Sequence, residues 1–333
     1  MSPDRSTALR ASILFLAAAL SLGIAYGMGV QSPFWAAMPV WVVAQPFRQD
    51  LVIRAILRLV GTVVGGALAW LVLTELHDPL LQALAIGALI GVGTFVSFWI
   101  GTVHSYGSLM AAITVGVVAL PALDHPVNSE AYAVERLVCT LIGVTLVTAL
   151  TFAFTPKREQ PVPIRIDHGL SRGIRRGAFA AVAGVIAALL VIYIGGAIGI
   201  ASALSLCVFA SIVGGSPHSA AILENLVPSA ALGIVAAILY RWIAQTFGLS
   251  GADLVLLALP FIAAGAVMRA HPKTAPAGID CNMCFLLAAE VGATGHPLPI
   301  TAEAGLAMII AATGVSMAYR GTGHRKVLMA FSR

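Results

Sequence analysis

Apolar residues run along this chain in long blocks separated by short polar stretches. A helix needs about 20 apolar residues to cross the hydrocarbon core of a bilayer, and twelve blocks are candidates. Six fall at 8–30, 33–46, 54–74, 79–100, 105–121 and 131–155, and six more at 174–194, 198–214, 219–243, 252–268, 275–292 and 300–320. The second block is short, bounded by Pro33 and Pro46 and interrupted by Pro39, which predicts a kinked or partly re-entrant helix.

The second half repeats the first with a shift of 171 residues. His125-Pro126 recurs as His296-Pro297, Gly143-Val144-Thr145 as Gly314-Val315-Ser316, Gly107 as Gly278 and Pro46 as Pro217. One offset holds without a gap across residues 107–145, which argues for a duplicated unit. The expected organisation is a first six-helix repeat at 1–155, a cytoplasmic linker at 156–173, a second six-helix repeat at 174–320 and a cytoplasmic tail at 321–333. Each half has an even number of spans, so the halves point the same way and their pseudo-axis runs along the membrane normal. The fold class expected is an all-α integral membrane protein of about 12 transmembrane helices in two parallel repeats.

Composition agrees with a bilayer. Hydrophobic residues make up 59% of the chain and charged ones 10%, where a soluble domain carries about 25% charged residues; the mean hydropathy is +0.95. The net charge of +5 is a topology signal here and not a nucleic-acid footprint, because the basic residues sit at the ends of apolar blocks. With the N-terminus in the cytoplasm, all of the 19 Lys and Arg residues except Arg136 and Arg241 fall on the inner side. Both termini are then cytoplasmic, and the outer loops carry Glu75, Asp78, Asp124, Glu130 and Asp253. Residues 1–27 read as a retained first helix and not as a cleaved signal, since Ala11 to Val30 is long enough to span.

The cysteines, Cys139, Cys207, Cys281 and Cys284, lie in apolar segments and suggest no disulfide framework. Cys281 and Cys284 have CxxC spacing without further ligands, so buried thiols are expected, and no metal or cofactor. Gly61-Thr62 with Gly65-Gly66, and Gly87 with Gly91, place small residues four apart, as closely packed membrane helices do.

The stretch Ser32-Pro33-Phe34-Trp35-Ala36-Ala37 leads through Gln45-Pro46 to Arg54, Arg58, Gly61-Thr62 and Gly65. Together with Arg136 before Gly143, and Gly278-Ile279-Asp280 before Phe285-Leu286-Leu287, it resembles the fusaric acid resistance and aromatic acid exporter family. The resemblance implies a bacterial inner-membrane, multi-pass exporter of aromatic or other organic acids. Several members work beside a periplasmic adaptor and an outer-membrane channel. Larger members carry sizeable cytosolic domains, whereas the linker here is confined to 156–173. The second half also lacks the Arg and Gly-Thr pattern, with Glu224-Asn225 and Pro228 on the corresponding helix.

An unpaired ionisable side chain within a bilayer costs roughly 2.5–3.5 kcal/mol on insertion scales. Two layers of such residues are expected. Arg54, Arg58, Glu224 and Asp280 lie toward the cytoplasm with His104 at the interface; Glu135, Arg136, Glu290 and Glu303 lie toward the outside. Arg54 and Arg58 are four apart and share a helix face. They suit a bidentate grip on a carboxylate, with snorkelling to headgroups or an ion pair with Glu224 as the alternatives. Glu224, Glu290 and Asp280 are the proton-coupling candidates, with Glu290 nearer the outer surface, while Glu135 and Arg136 are read as ending the sixth helix. Phe34, Trp35, Trp41 and Trp99 suit an interfacial belt or core packing. Trp35 is singled out for substrate by the resemblance, and Gln45 and Asn225 complete the substrate-binding set. Both His-Pro pairs fall on predicted outer turns.

The reading that follows is a proton-driven exporter of organic acids working by alternating access between two halves. An anion channel and a membrane assembly or scaffold protein are the alternatives. The 14 acidic residues are scattered, which argues against a membrane enzyme. The expected partners are a small organic acid and the lipid bilayer, with no nucleic acid; oligomeric state is open.

Overall fold

A computed structural model describes residues 3–124, 129–160 and 162–330. Its described residues form twelve α-helices: α1 (Pro3–Gly27), α2 (Phe34–Val43), α3 (Arg48–Glu75), α4 (Pro79–Ile100), α5 (Tyr106–Asp124), α6 (Ser129–Phe152), α7 (Leu170–Ile194), α8 (Gly196–Gly215), α9 (Ser219–Thr246), α10 (Ala252–Ala270), α11 (Ala275–Ala289) and α12 (Leu298–Ala330). Ten are long and apolar enough to cross a membrane, and α2 and α11 are shorter. The chain is a multi-pass, all-α membrane protein. His125, Pro126 and Pro161 lie outside the described residues.

Several ends follow from local chemistry. The Asp78 side chain accepts from Leu81 N, Pro79 opens α4, and Gly101 closes it in the left-handed conformation. Two boundaries differ most from expectation. Helix α3 starts at Arg48 rather than residue 54, because its charged first turns belong to the helix without belonging to the apolar block. Helix α12 continues to Ala330, through most of the stretch 321–333 read as a tail.

Helix α2 has only ten residues, about 15 Å at the helical rise of 1.5 Å per residue, roughly half of a ~30 Å core. Beyond it Ala44 and Phe47 are extended, so its last carbonyls have no helical partner in an apolar medium. Two arginines supply one: Arg54 Nη1 donates to Val42 O at 2.9 Å and Arg269 Nε donates to Trp41 O at 3.0 Å. The end of α8 is met the same way, with Arg176 Nη1 donating to Val213 O at 3.0 Å and Ser216 O at 2.6 Å. At the end of α11, Arg241 Nη1 donates to Thr294 O at 2.8 Å and Nη2 to Glu290 O at 3.1 Å.

Helix packing in one half has its counterpart six helices later in the other. The α3–α5 contact corresponds to α9–α11, α2–α6 to α8–α12, α1–α2 to α7–α8, and α3–α6 to α9–α12. Between the halves, α4–α7 corresponds to α10–α1 and α5–α8 to α11–α2. The α1–α6, α4–α8 and α5–α7 contacts lack a comparable counterpart. Helices α2, α5, α8 and α11 therefore meet at the middle, and the largest apolar core joins Leu22 and Trp41 to Tyr240, Ile262 and Leu286. Large apolar side chains remain exposed on the outer flanks, among them Leu16, Leu20 and Ile24 of α1 and Val182 and Ile186 of α7; in a bilayer they face lipid. The connection between the halves packs along one end of the bundle, here termed the linker face: Arg48 N donates to Pro156 O, Ile166 N to Ile100 O, and Asp50 is ion-paired with Arg158.

The glycines on α3 divide by contact. A Cβ on Gly65 would stand 2.7 Å from Thr114 Cβ and 3.1 Å from Ala111 Cα on α5, whereas one on Gly66 would meet only Ala133 Cβ at 3.8 Å. Gly65→Leu is expected to cost at least the ~1–3 kcal/mol of an overpacked core and to lower the yield of folded protein in the membrane. Gly66→Ala is expected to leave it unchanged. Fluorescence-detected size exclusion of both variants checks this, and equal profiles would show that α3 and α5 do not pack this closely.

Candidate functional site

A central cavity of about 90 Å³ lies where the two halves meet, lined by α2, α3, α5, α6, α8, α11 and α12. Its polar wall comes mainly from the first half: Trp35, Arg58, Thr62, Thr114, Arg136 and Thr140, with Ser205 from the second. The rest of the second half's share is apolar, including Leu204, Phe209, Met283, Leu287 and Met308. None of the lining residues is acidic.

Arg58 lies ten residues into α3, about 15 Å along it from the linker face at the helical rise. Arg136 lies seven residues into α6, about 10 Å along from the far face on the same rise. Both guanidinium groups are thus deep in the core. Arg136 is only 8% exposed and its guanidinium carbon stands 3.4 Å from the centre of the Trp35 ring. Such a desolvated cation–π contact is worth about 2 kcal/mol, less than the cost of isolating a charge in hydrocarbon. Its Nε and Nη1 have no hydrogen-bond partner among the described residues, nor has Arg58 Nε. Arg58 Nη1 reaches Met110 Sδ, a weak acceptor. The neighbouring Glu135 acts on Arg136 through space but makes no direct ion pair with it among the described residues, and its Oε1 accepts from Ser32 N at 2.6 Å. The hydroxyl oxygens of Thr62 and Ser205 are also buried without partners. The cavity therefore concentrates positive charge and hydrogen-bond donors beside one aromatic ring.

The expected site residues separate. Trp35 and Arg58 come together at the cavity. Arg54 does not join them: it caps α2 and lies over the Tyr106 ring, 4.8 Å from its centre. Arg136 corrects the reading of that residue as a helix end, because α6 begins a full two turns earlier, at Ser129. Gln45 lines a different cleft at the linker face with Arg10 and Arg269. Asn225 bonds back to Ala221 O on its own helix at 2.9 Å. Glu224 sits on the exposed side of α9, not in the cavity, and makes no ion pair with Arg54 or Arg58 among the described residues. The apolarity of α9 marks it as a span without saying which face meets lipid. Asp280, by contrast, is 8% exposed, and no described residue hydrogen-bonds or ion-pairs with it.

Glu290 ends α11 in the left-handed conformation and is engaged. Its carboxylate receives His296 N and Nδ1 at 2.9 Å, and Arg241 stands 3.6 Å away. It lines a cavity of about 300 Å³ toward the face opposite the linker, with Asp124, Tyr132, His296 and Thr301. Leu204, Leu287 and Met308 line both this cavity and the central one. These three apolar side chains stand as a septum between them.

Residues 8–165 match the Fusaric acid resistance protein family. That segment contains Trp35, Arg58 and Arg136, so both arginines of the central cavity and the indole beside Arg136 fall within it. The p-hydroxybenzoic acid efflux pump subunit AaeB of Musicola paradisiaca is 27% identical over 166 residues, 46% of this chain and 25% of that protein. An uncharacterized transporter, GOX0755, of Gluconobacter oxydans is 31% identical over 142 residues, 40% of this chain and 19% of the relative. The AaeB subunit of Escherichia coli is 26% identical over 155 residues, 43% of this chain and 24% of the relative. The alignments thus span about a quarter or less of these relatives' lengths. No solved structure matches the chain.

Proposed function

We propose that this chain, whose residues 8–165 match the fusaric acid resistance protein family, exports organic acids, aromatic ones foremost, across the bacterial inner membrane. In this reading two parallel six-helix repeats, 1–155 and 174–320, rock about the central cavity with both termini in the cytoplasm. Arg58 and Arg136 bind the carboxylate, and Trp35 lies against the ring or the apolar body of the substrate. The observation that carries the reading is the pair of deeply placed guanidinium groups facing one cavity that no acidic side chain lines. Charged groups in a membrane interior mark substrate pathways unless they are paired, and a guanidinium fork matches a carboxylate.

The size of the cavity supports a carrier over a channel. An apolar cavity of about 150 Å³ accommodates benzene, so a space of about 90 Å³ must widen before it takes a substituted ring. The septum of Leu204, Leu287 and Met308 closes it toward the cavity that Glu290 lines. Alternating access needs such a closed arrangement, whereas a conducting pore needs a continuous one. The relatives named as pump subunits favour work beside further subunits, for which a periplasmic adaptor and an outer-membrane channel are the natural partners.

Proton coupling falls to Asp280 in this proposal, as the buried carboxyl without a protein partner, with Glu290 at the outer end. Glu224, on the exposed side of α9, is given no part in it. Inverted membrane vesicles are expected to accumulate p-hydroxybenzoate when a pH gradient is imposed and to lose it with a protonophore. Asp280→Asn should leave only gradient-independent uptake; Glu224→Gln should keep the wild-type dependence. Uptake in wild-type vesicles that ignored collapse of the gradient would favour the channel reading instead.

A further inference from the structure

At the linker face, a second basic cleft of about 260 Å³ lies between α1, the ends of α2 and α6, and α10. It shares no lining residue with the central cavity. Arg10 of α1 and Arg269 of α10 both line it, with Gln45 between the two halves and the hydroxyls of Thr151 and Thr155 on the α6 side. No acidic residue is in the lining. Arg269 spends only its Nε on Trp41 O. Its terminal nitrogens, and the whole guanidinium of Arg10, have no hydrogen-bond or ion-pair partner among the described residues. Arg10 and Arg54 also stand close enough to Arg269 to repel its charge. The acid nearest in sequence to Arg54, Asp50, is already paired with Arg158. Three like charges converge at this end of the bundle, and neither Arg10 nor Arg269 has an ion-pair partner among the described residues.

The cleft's other wall is apolar. Ile13, Leu14 and Pro46 line it together with Phe154, whose residue is 60% exposed, and Leu9 and Phe152 are exposed nearby in sequence. The flank of α1, α6 and α10 thus presents a hydrophobic approach that ends at two arginines. A freely soluble anion gains nothing from that approach; a molecule with an anionic head and acyl tails uses both walls. Basic pockets between membrane helices on the cytoplasmic side are suited to anionic headgroups, and guanidinium groups suit phosphate oxygens in particular.

We propose that this cleft binds the phosphate headgroup of an anionic phospholipid between Arg10 and Arg269, with an acyl chain along Leu14 and Phe154. Because Arg10 belongs to the first half and Arg269 to the second, the lipid ties α1 to α10 across the junction of the halves. It also bears on the central site indirectly, since Arg269 caps the helix that carries Trp35. The proposal stands independently of which solute the central cavity carries.

The test uses the purified full chain in phosphatidylcholine nanodiscs and in detergent. Phosphatidylglycerol or cardiolipin titrated into the detergent sample is expected to raise the unfolding temperature, and native mass spectrometry is expected to show one retained anionic lipid. Phosphatidylcholine at the same mole fraction should do neither, and inorganic phosphate should produce no shift. Arg10→Gln, at an exposed position, should fold normally in neutral lipid yet weaken the anionic-lipid response about tenfold, the effect of losing one charge-assisted contact. Equal responses to phosphatidylcholine and phosphatidylglycerol would overturn the proposal, as would an unaltered response in Arg10→Gln. An identical shift with inorganic phosphate would reassign the cleft to a soluble anion. A shift with p-hydroxybenzoate that Arg10→Gln abolishes would make it a substrate site instead.

Discussion

Arg136→Ala is expected to lower export of aromatic acids at limiting substrate by about ten- to a hundred-fold, while the protein accumulates in the membrane with an undiminished unfolding temperature. The two halves of that expectation come from one imbalance. Arg136 is deeply buried, its Nε and Nη1 are unpartnered, and its main protein contact is the face of Trp35. A charge-assisted hydrogen bond to a carboxylate contributes about 1.5–3 kcal/mol, and each 1.4 kcal/mol is tenfold in affinity. Without substrate, the same charge costs roughly 2.5–3.5 kcal/mol at the centre of a helix on insertion scales, more than the ~2 kcal/mol that the cation–π contact returns. Removing it therefore costs the substrate complex and not the fold. Arg136→Lys should recover only part of the activity, because an ammonium keeps the charge but loses the fork and the stacking. Initial rates in vesicles, set beside the unfolding temperature, check both parts. A purely structural arginine would show the reverse: a lower unfolding temperature and normal export per folded molecule.

Arg241→Ala should behave in that reverse way, and it carries the largest expected effect on stability. Arg241 is 2% exposed. Its guanidinium donates to Thr294 O at 2.8 Å, Glu290 O at 3.1 Å and Ala293 O at 3.3 Å, and stands 3.6 Å from the Glu290 carboxylate. Alanine leaves these carbonyls and one acidic group without their donor in a region of low dielectric. Breaking a buried pair from one side costs about 3–5 kcal/mol, a large share of a typical net stability of about 5–15 kcal/mol. The expected outcome is a steep loss of monodisperse protein, with His296 the only remaining partner of the Glu290 carboxylate among the described residues. Normal yield and unfolding temperature in this variant would mean that the end of α11 is held by something other than Arg241.

Much of the architecture was legible in the sequence because apolar blocks and their punctuation are local signals. The block 79–100 became Pro79–Ile100, where Asp78, Pro79 and Gly101 mark both ends; the block 174–194 ends with α7 at Ile194, before two glycines. The site was less legible because hydropathy gives depth but not direction. Glu224 and Asp280 look alike as carboxyls in apolar helices, yet one is exposed and the other is buried. Arg54 and Arg58 share a face, but only the shortness of α2 assigns Arg54 to an orphaned carbonyl and leaves Arg58 to the cavity. Arg136 reads from the sequence as a helix end, yet its place in the charge pattern is itself a signal. It and Arg241 are the two basic residues that the charge bias does not place on the inner side, and both are buried inside the bundle, Arg241 on backbone carbonyls and Glu290, Arg136 against the Trp35 ring.

The most direct measurement is equilibrium dialysis of radiolabelled p-hydroxybenzoate against the purified chain, in parallel with the neutral isostere p-hydroxybenzyl alcohol. The account predicts saturable binding of one acid per chain and at least about tenfold weaker binding of the alcohol, since the two arginines recognise charge. Equal affinities for acid and alcohol, or no saturable binding of the acid, would contradict it.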